Sequence, residues 1–252
     1  MNMKLRLAVF AMIAVPFATG CFIIPQDAVD DIKDDITNEL PQSKNTLRID
    51  AIADGSGKTH VIACVADPVV CVNADGPFAA AMGSAAAVDL PFVVDYMQNE
   101  GVDVGRFRGD LTGDAAESEI KVTRKGDAAT TSTATLPPAA LPTAPMEGAT
   151  ISLATDQIKL TWDTKGGSDP MEWAATVECG MPAVEVVGTS IEDTGEHVVD
   201  PAKLNLKAGE TCKVTLHLSR FRDGTIEKAF QDGGRGLITA KQTRSVTVNV
   251  GP

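Results

Sequence analysis

The chain has 252 residues, of which 44% are hydrophobic and 4% aromatic, and its formal net charge at pH 7 is −12. This length and hydrophobic content allow buried cores, which argues against wholesale disorder and favours two domains of ordinary size. The acidic excess repels nucleic-acid phosphates and anionic lipid headgroups, so we expect no nucleic-acid partner.

The first twenty residues have the pattern of an export signal. Lys4 and Arg6 precede an apolar run at 7–18, and small residues then lead to Cys21. Ordinary signal cleavage without lipid would also suit those small residues. A third interpretation, an uncleaved membrane anchor, needs a longer apolar stretch than this one, which Pro16 interrupts.

The sequence ATGC at 18–21 resembles the lipobox of bacterial lipoproteins, in which the cysteine is acylated and becomes the new N-terminus. The resemblance implies a signal peptide at 1–20, fatty chains such as palmitate on Cys21, and a lipid-anchored place in the cell envelope. Since Phe22 rather than Asp follows the cysteine, it also implies the outer membrane. Five cysteines are present, so acylation of Cys21 leaves an even four for disulfides.

Residues 21–44 are predicted to combine the anchor with a short acidic amphipathic helix or stalk. Acidic residues surround an apolar stripe at helical spacing, formed by Val29, Ile32, Ile36 and Leu40. Pro41 marks the end of the helix. The helix is either an interaction element or an element docked on the first domain, and the charge of its polar face does not suit anionic lipid.

Residues 45–136 are predicted to form a first β-sandwich domain. Alternating apolar residues indicate strands at 47–53 and 59–66, with turn residues between them, and further strands follow at 105–111, 117–124 and 129–136. The alanine-rich stretch 77–88 fits strand, helix or loop. Four prolines at 137–145 predict a stiff linker at 137–146.

Residues 147–252 are predicted to form a second β-sandwich, because seven or eight short strands recur at regular spacing. The stretch 197–224 resembles the E–F region of fibronectin type III and immunoglobulin-like domains. Leu206, Gly209 and Val214 fit this pattern, while Cys212 stands where the family has a Tyr, and Trp162 matches the buried Trp of strand B. The fold class is therefore all-β, with two such sandwiches after a signal peptide and a short acidic helix.

The type III resemblance implies that Cys179 ends strand C and Cys212 begins the neighbouring strand F, so that a disulfide joins them. Cys64 and Cys71 then remain as a second pair within the first domain. Four cysteines allow three pairings, and the separation into domains favours this one. No CxxC motif occurs, so we expect no metal site at these thiols.

Several residues or short sequences resemble functional motifs but do not match them fully. GSGKT at 55–59 is the tail of a phosphate-binding loop, but Ile52 replaces the required Gly and a β pattern follows, so a hairpin turn is predicted. Four acidic residues cluster in a predicted turn, where oxygen ligands can bind calcium, but their spacing does not match an EF-hand loop. They are Asp110, Asp114, Glu117 and Glu119. The histidines are predicted to lie on strand faces; they are His60, His197 and His217.

Large aromatic residues with a polar group are few, namely Trp173, Tyr96 and the Trp162 already placed. Sugar-binding faces present several such rings, and Trp173 is predicted to pack the sandwich instead. Ser219 and Ser245 lie in predicted strands without a nucleophile-elbow motif.

The sequence predicts no catalytic, cofactor-binding or metal residue and no cofactor. We expect a lipid-anchored, non-enzymatic binding or structural module with a protein partner in the cell envelope. Two alternatives remain open. One is an envelope hydrolase or glycan-processing enzyme whose carboxylates converge in a cleft, and the other is an adhesin stiffened by calcium.

Overall fold

A computed structural model of the chain describes residues 46–252, except 68–69, 73–77, 98–101, 126–129, 165–166, 181–182, 205, 207–208 and 232–235. Of the strand residues 66–67, 70–72, 95–97, 102–104 and 187–188 it describes the backbone alone. The described parts of 46–95 and 104–252 belong to one compact unit, and 96–103 belong to a second. The predicted signal peptide, Cys21 and the predicted acidic helix lie outside the described residues.

The described residues form strands almost throughout, with two short 3-10 helices at Pro201–Leu204 and Lys228–Phe230. The strands of the N-terminal half are β1 Thr46–Ala53, β2 Lys58–Asp67, β3 Val70–Val72, β4 Phe78–Met82, β5 Val88–Leu90, β6 Phe92–Met97, β7 Val102–Thr112, β8 Glu119–Arg124 and β9 Thr130–Thr135. Those of the C-terminal half are β10 Pro142–Ala144, β11 Thr150–Ser152, β12 Ile158–Trp162, β13 Met171–Glu178, β14 Val184–Ile191, β15 Glu196–Val199, β16 Cys212–Asp223 and β17 Gly236–Gly251.

The strands make one large sheet and two small ones. The large sheet has the order β14-β13-β16-β17-β1-β2-β7-β6, with β3 beside β2 and β11 beside β17. The small sheets have the orders β5-β4-β8-β9 and β10-β12-β15. Each small sheet covers one part of the same face of the large sheet, so two β-sandwiches share a single sheet.

Strand β17 belongs to both sandwiches. Its inward side chains alternate without a break along sixteen residues. Ile238 and Ala240 enter the first core, whereas Val246, Val248 and Val250 enter the second. A period of two places every second side chain on one face of a strand, and here that face meets two different cores in succession.

The first sandwich is closed by residues from the far end of the chain. Its core contains β1, β2 and β7 residues together with Ile226 and Phe230, which precede β17. The ring of Phe107 lies 4.9 Å from that of Phe78 and 5.0 Å from that of Phe92, measured between centroids. The Phe92 ring lies against the backbone of β7 at Gly105. A Cβ added there would lie 2.2 Å from the ring, so this close contact requires glycine.

The second sandwich has the arrangement of fibronectin type III and immunoglobulin-like domains. The sheet β10-β12-β15 packs on the β14-β13-β16-β17 part of the large sheet. Trp162 on β12 and Trp173 on β13 are both buried in the core between them. This order confirms the fold that the type III resemblance implied.

A polar layer joins the two sandwiches. Arg220 of β16 is fully buried, and its guanidinium donates hydrogen bonds to the carbonyls of Pro138, Ala139 and Asp163. Its Nη2 also contacts both carboxylate oxygens of Asp193, at 3.0 and 2.8 Å, and Oδ1 accepts a 2.7 Å hydrogen bond from Trp162.

Two further arginines connect the loop between β7 and β8 to the hairpin formed by β16 and β17. Arg222 pairs with Glu117 of that loop and with Asp169, and these two acids raise its pKa, with Asp169 the stronger cause. Arg244 pairs with Asp114 at 3.3 Å. Because these contacts come from several loops at once, they hold the two sandwiches together.

The structure adds detail at three places in the chain. The stretch predicted to be a linker contains β10, and its Ala140 is fully buried, because it supplies an edge strand to the second sandwich. Residues Gly236–Gly251 form one long strand, β17, because the alternation continues through 241–243. Within the ambiguous stretch, residues 78–88 form β4, a turn and the first residue of β5.

Candidate binding surface

The outer face of the large sheet, meaning the face turned away from both cores, is continuous across the two sandwiches. On β17 it presents a row of outward side chains, namely Leu237, Thr239, Lys241, Thr243, Ser245, Thr247 and Asn249. Neighbouring strands extend this row on both sides. The outer face of the large sheet is therefore a single surface that extends over both sandwiches.

In the second sandwich this face is formed by short hydroxyl side chains that bond to one another across strands. Thr215 pairs with Thr247 at 3.2 Å, and Thr243 pairs at 2.9 Å with Ser219, which is itself buried at 3% exposure; both distances are between hydroxyl oxygens. Each pair lies directly opposite in the register of β16 and β17. These mutual bonds fix the rotamers, so a partner would bind the surface with little further loss of side-chain entropy.

His217 lies at the centre of this hydroxyl-rich region. Its Nε2 is 3.0 Å from the Thr176 hydroxyl and its Nδ1 is 2.7 Å from the Ser245 hydroxyl. Burial lowers the pKa of His217, so the ring is neutral at pH 7 and presents one donor and one acceptor. Since both ring nitrogens bond to hydroxyls, the ring lacks the carboxylate that orients a Ser-His-Asp triad.

In the first sandwich the outer face is charged. His60 of β2 is bonded through Nδ1 to Asp110 of β7 at 2.7 Å, and its Nε2 lies 3.5 Å from Asp54 in the turn before β2. Lys58 lies 3.6 Å from the other oxygen of Asp110. The hydrogen bond to Asp110 is the main cause that raises the pKa of His60, and the field of Asp54 adds to it.

A shallow groove adjoins His60. It has a volume of about 600 Å³, and its lining includes Ile62, Pro91, Val93, Arg108 and Asp110. Gly109 also lines the groove, and a Cβ added there would point into the first core, 2.8 Å from the Leu90 side chain. The groove thus combines aliphatic side chains with charges of both signs, and its size suits a small side chain or loop of a partner.

The acidic residues singled out by sequence do not converge. Asp110 pairs with His60, Asp114 with Arg244, and Glu117 with Arg222. Glu119 pairs with Lys121 at 3.0 Å. Each of the four carboxylates therefore has its own cation, which leaves them poorly placed to share a calcium ion.

Other sequence-based expectations can be compared directly with the structure. Residues 55–57 of GSGKT lie in the tight turn between β1 and β2, and Lys58 and Thr59 begin β2. All three histidines lie in strands, at β2, β15 and β16. Trp173 packs in the second core at 1% exposure, and its ring lies 5.7 Å from that of His197. The side chain of Tyr96 lies outside the described residues.

The cysteines divide into one confirmed pair and one that stays a prediction. Cys179, directly after β13, is bonded to Cys212 at the start of β16, with their Cα atoms 4.4 Å apart. Cys64 is also disulfide-bonded, and β3 places Cys71 opposite Ala66 on the strand of Cys64. The partner sulfur of Cys64 lies outside the described side chains, so the Cys64–Cys71 pair remains predicted, as does the lipid on Cys21.

Within the described residues, no group of three or more His, Cys, Asp or Glu side chains is placed to hold a metal ion. That same part of the chain contains no helix long and apolar enough to cross a membrane. The sequence alone missed the polar junction and the pairing of His60 with Asp110, because these partners are at least 27 residues apart in the chain.

Comparison with known proteins gives no family for the chain. No family model matches it, and no curated protein matches it. Among the solved structures that match is the crystal structure of the FN1–FN3 domains of chicken CNTN1, with 12% sequence identity and a TM-score of 0.20. The match covers 80% of this chain and 66% of that one, so the chain spans just under two thirds of that structure. The assignment of the fold therefore rests on the strand order described above.

Proposed function

We propose that this protein is a lipid-anchored binding module of the cell envelope, with its binding site on the outer face of the large sheet. The fibronectin type III-like fold supports this proposal, because it suggests a binding or structural module. The observation that supports the proposed site is the continuity of the outer face across both sandwiches. Two domains that share a sheet present one pre-formed surface, which lowers the entropy cost of binding.

The partner that best fits this face is another protein. Each hydroxyl oxygen on this face keeps acceptor capacity beyond the bond it already makes. Ion pairs border the hydroxyl groups, such as Glu172 with Lys241 and Glu178 with Lys213. Protein interfaces use such mixed polar surfaces, with ordered water filling the gaps. Large exposed aromatic rings, which sugars prefer, do not occur on the described part of this face.

The role is proposed to be non-enzymatic. The acids that the sequence analysis considered as calcium ligands are each paired with a cation. His217 has hydroxyl partners on both sides, which suits a fixed surface better than proton transfer. The anchor is proposed from the resemblance of the 18–21 sequence to a lipobox, and the location in the outer membrane from Phe22.

Site-specific photo-crosslinking in native envelopes tests the binding face. A photoreactive residue at Ser245, on the outer face, should capture one defined protein. The same residue at Lys159, on the outer face of the small sheet β10-β12-β15, is the matched control and should capture none. Equal capture at the two positions would show that the outer face of the large sheet has no special role.

Membrane fractionation tests the anchor separately. The Cys21→Ser variant should move from the detergent-soluble membrane fraction to the soluble fraction. The intact mass of the mature wild-type protein should exceed that of the chain from residue 21 by the mass of fatty acyl groups. A variant that stays in the membrane fraction would contradict lipid anchoring and leave the binding face to be judged by crosslinking.

A further inference from the structure

Strand β17 has parallel partners along one edge in both sandwiches. β1 pairs with its first half, from Leu47 opposite Gly236 to Ala53 opposite Gln242. β11 pairs with its last residues, where Thr150 lies opposite Asn249. The strand that enters the first sandwich from the N-terminal side is therefore a direct neighbour of the strand that continues into the second core.

The direction of β1 decides how tension would act on this pair. Because the strands are parallel, β1 begins opposite the start of β17, which is the end farthest from the second core. Suppose that the second sandwich is held and the chain before Thr46 is pulled away from it. The force then acts along the axis of β1, against a strand that is continuous with the held sandwich.

Tension along a strand axis loads its lateral hydrogen bonds in shear. Seven residue pairs join β1 to β17, and eight join β1 to β2 on its other side. Hydrogen bonds between parallel strands are evenly spaced, so they share such a load and must break together. The inward side chains of β1 would also have to leave the first core; they are Leu47, Ile49, Ala51 and Ala53, all at most 1% exposed.

We propose that β1 and β17 form a shear-loaded mechanical link, which lets the protein bear tension between its N-terminal side and a partner held by the second sandwich. The source of this tension, an anchor at one end and a partner at the other, rests on the proposed function. The mechanical link itself depends only on the strand order. It makes the protein a load-bearing tether as well as a binding module.

Single-molecule force measurements on the full chain test the proposal. In the first geometry, handles attach at position 21 and at Pro252, which loads β1 in shear. In the second, handles attach at the exposed Ser84, in the turn after β4, and at Pro252. There the force pulls β4 and β5 from β8. It reaches the large sheet through core packing, through the continuous chain from β5 into β6, and through scattered bonds such as the bridge between Thr133 and Thr225. The ion pair of Arg124 with Glu227 also connects the two sheets.

The rupture force should be at least about twofold higher in the first geometry, because its bonds break together rather than in sequence. A glycine weakens a strand, so Ile52→Gly in β1 should lower the rupture force in the first geometry. The matched Thr161→Gly in β12 should leave that force unchanged. Equal rupture forces in the two geometries, or no effect of Ile52→Gly, would overturn the proposal.

The handles replace both the lipid and the partner. The measurement therefore gives the same answer whether or not Cys21 is acylated. A chain that resists force but carries no lipid would contradict the proposed function alone, and a lipidated chain that ruptures easily would contradict the mechanical link alone.

Discussion

The buried pair of Arg220 and Asp193 gives the sharpest prediction for stability. The side chain of Arg220 is 0% exposed and that of Asp193 is 6% exposed. Asp193→Ala would leave the guanidinium with three carbonyl acceptors and no counter-charge. It would also remove the acceptor of the Trp162 indole N–H, which is buried with the second core.

The expected loss follows from these two consequences. Removing one partner of a buried ion pair costs about 3–5 kcal/mol, because the other charge stays buried without compensation. An indole donor left without an acceptor costs about 1–3 kcal/mol more, although the two terms overlap at a shared oxygen. We expect a loss of roughly 4 kcal/mol in the free energy of unfolding, a large share of the stability of an ordinary domain.

Urea unfolding followed by tryptophan fluorescence measures this loss. Both tryptophans of the chain lie in the second core, so their emission reports on that core. The double variant Arg220→Met/Asp193→Leu is the control, since replacing both charges by apolar groups removes the uncompensated charge. The double variant should be more stable than Asp193→Ala. A loss below about 1 kcal/mol for Asp193→Ala would refute the argument that the counter-charge is needed.

Three further predictions concern the two cores and the outer face. Gly105→Ala should lower the free energy of unfolding by about 1–3 kcal/mol in urea titrations, because its Cβ would overlap the Phe92 ring. Phe92→Leu in the same chain should restore part of that loss, and a larger loss in the double variant would contradict the stated cause. The pKa of His60 is raised in the folded protein, so its protonation stabilises the fold at pH values below the unfolded pKa of about 6.5. This stabilisation is lost as the pH rises through the folded pKa. The stability of His60→Gln should therefore fall less than that of the wild type between about pH 6 and pH 8, and identical pH profiles would count against the ion pairs described here. Replacing Cys179 and Cys212 by Ser opens a loop with a sequence separation of 33 and should cost about 4 kcal/mol, seen as a lower urea midpoint of the tryptophan transition. An unchanged midpoint would indicate that the bridge does not constrain the unfolded chain.

Much of the second sandwich could be predicted from the sequence because its signals are local. Alternation of apolar residues marks its strands, and the type III resemblance located both Trp162 and the disulfide between Cys179 and Cys212. These features depend on neighbours within one strand or on a familiar order of strands. The turn at 54–57 was likewise visible, because its residues favour a tight hairpin.

The rest depended on contacts between distant parts of the chain. Nothing within 46–53 indicates that β1 pairs with β17, almost 190 residues later. The prolines at 137–145 suggested a linker, since composition does not show that Pro142–Ala144 can serve as an edge strand. The pairing of His60 with Asp110 also arises only from the register of β2 and β7.

The outer face could be predicted as a pattern but not as a site. In the sequence, the outward Thr and Ser residues of β17 indicate only the solvent-facing side of a half-buried strand. Their bonding across β16 depends on which residues lie opposite one another, and this register was not available from either strand alone. The surroundings of His217 likewise depend on residues of two other strands, Thr176 and Ser245, so they could not be predicted from its own strand.

The shared strand also limits how this architecture can be reused. A gene fragment that stops near residue 146 would encode the first sandwich without Gly236–Gln242, and β1 would have an open edge where β17 belongs. The complementary fragment would keep β17 beside β16, but the first half of β17 would lose β1 along its other edge. The two halves are therefore not independent cassettes, and recombination at the proline-rich stretch would produce two aggregation-prone pieces in place of two modules.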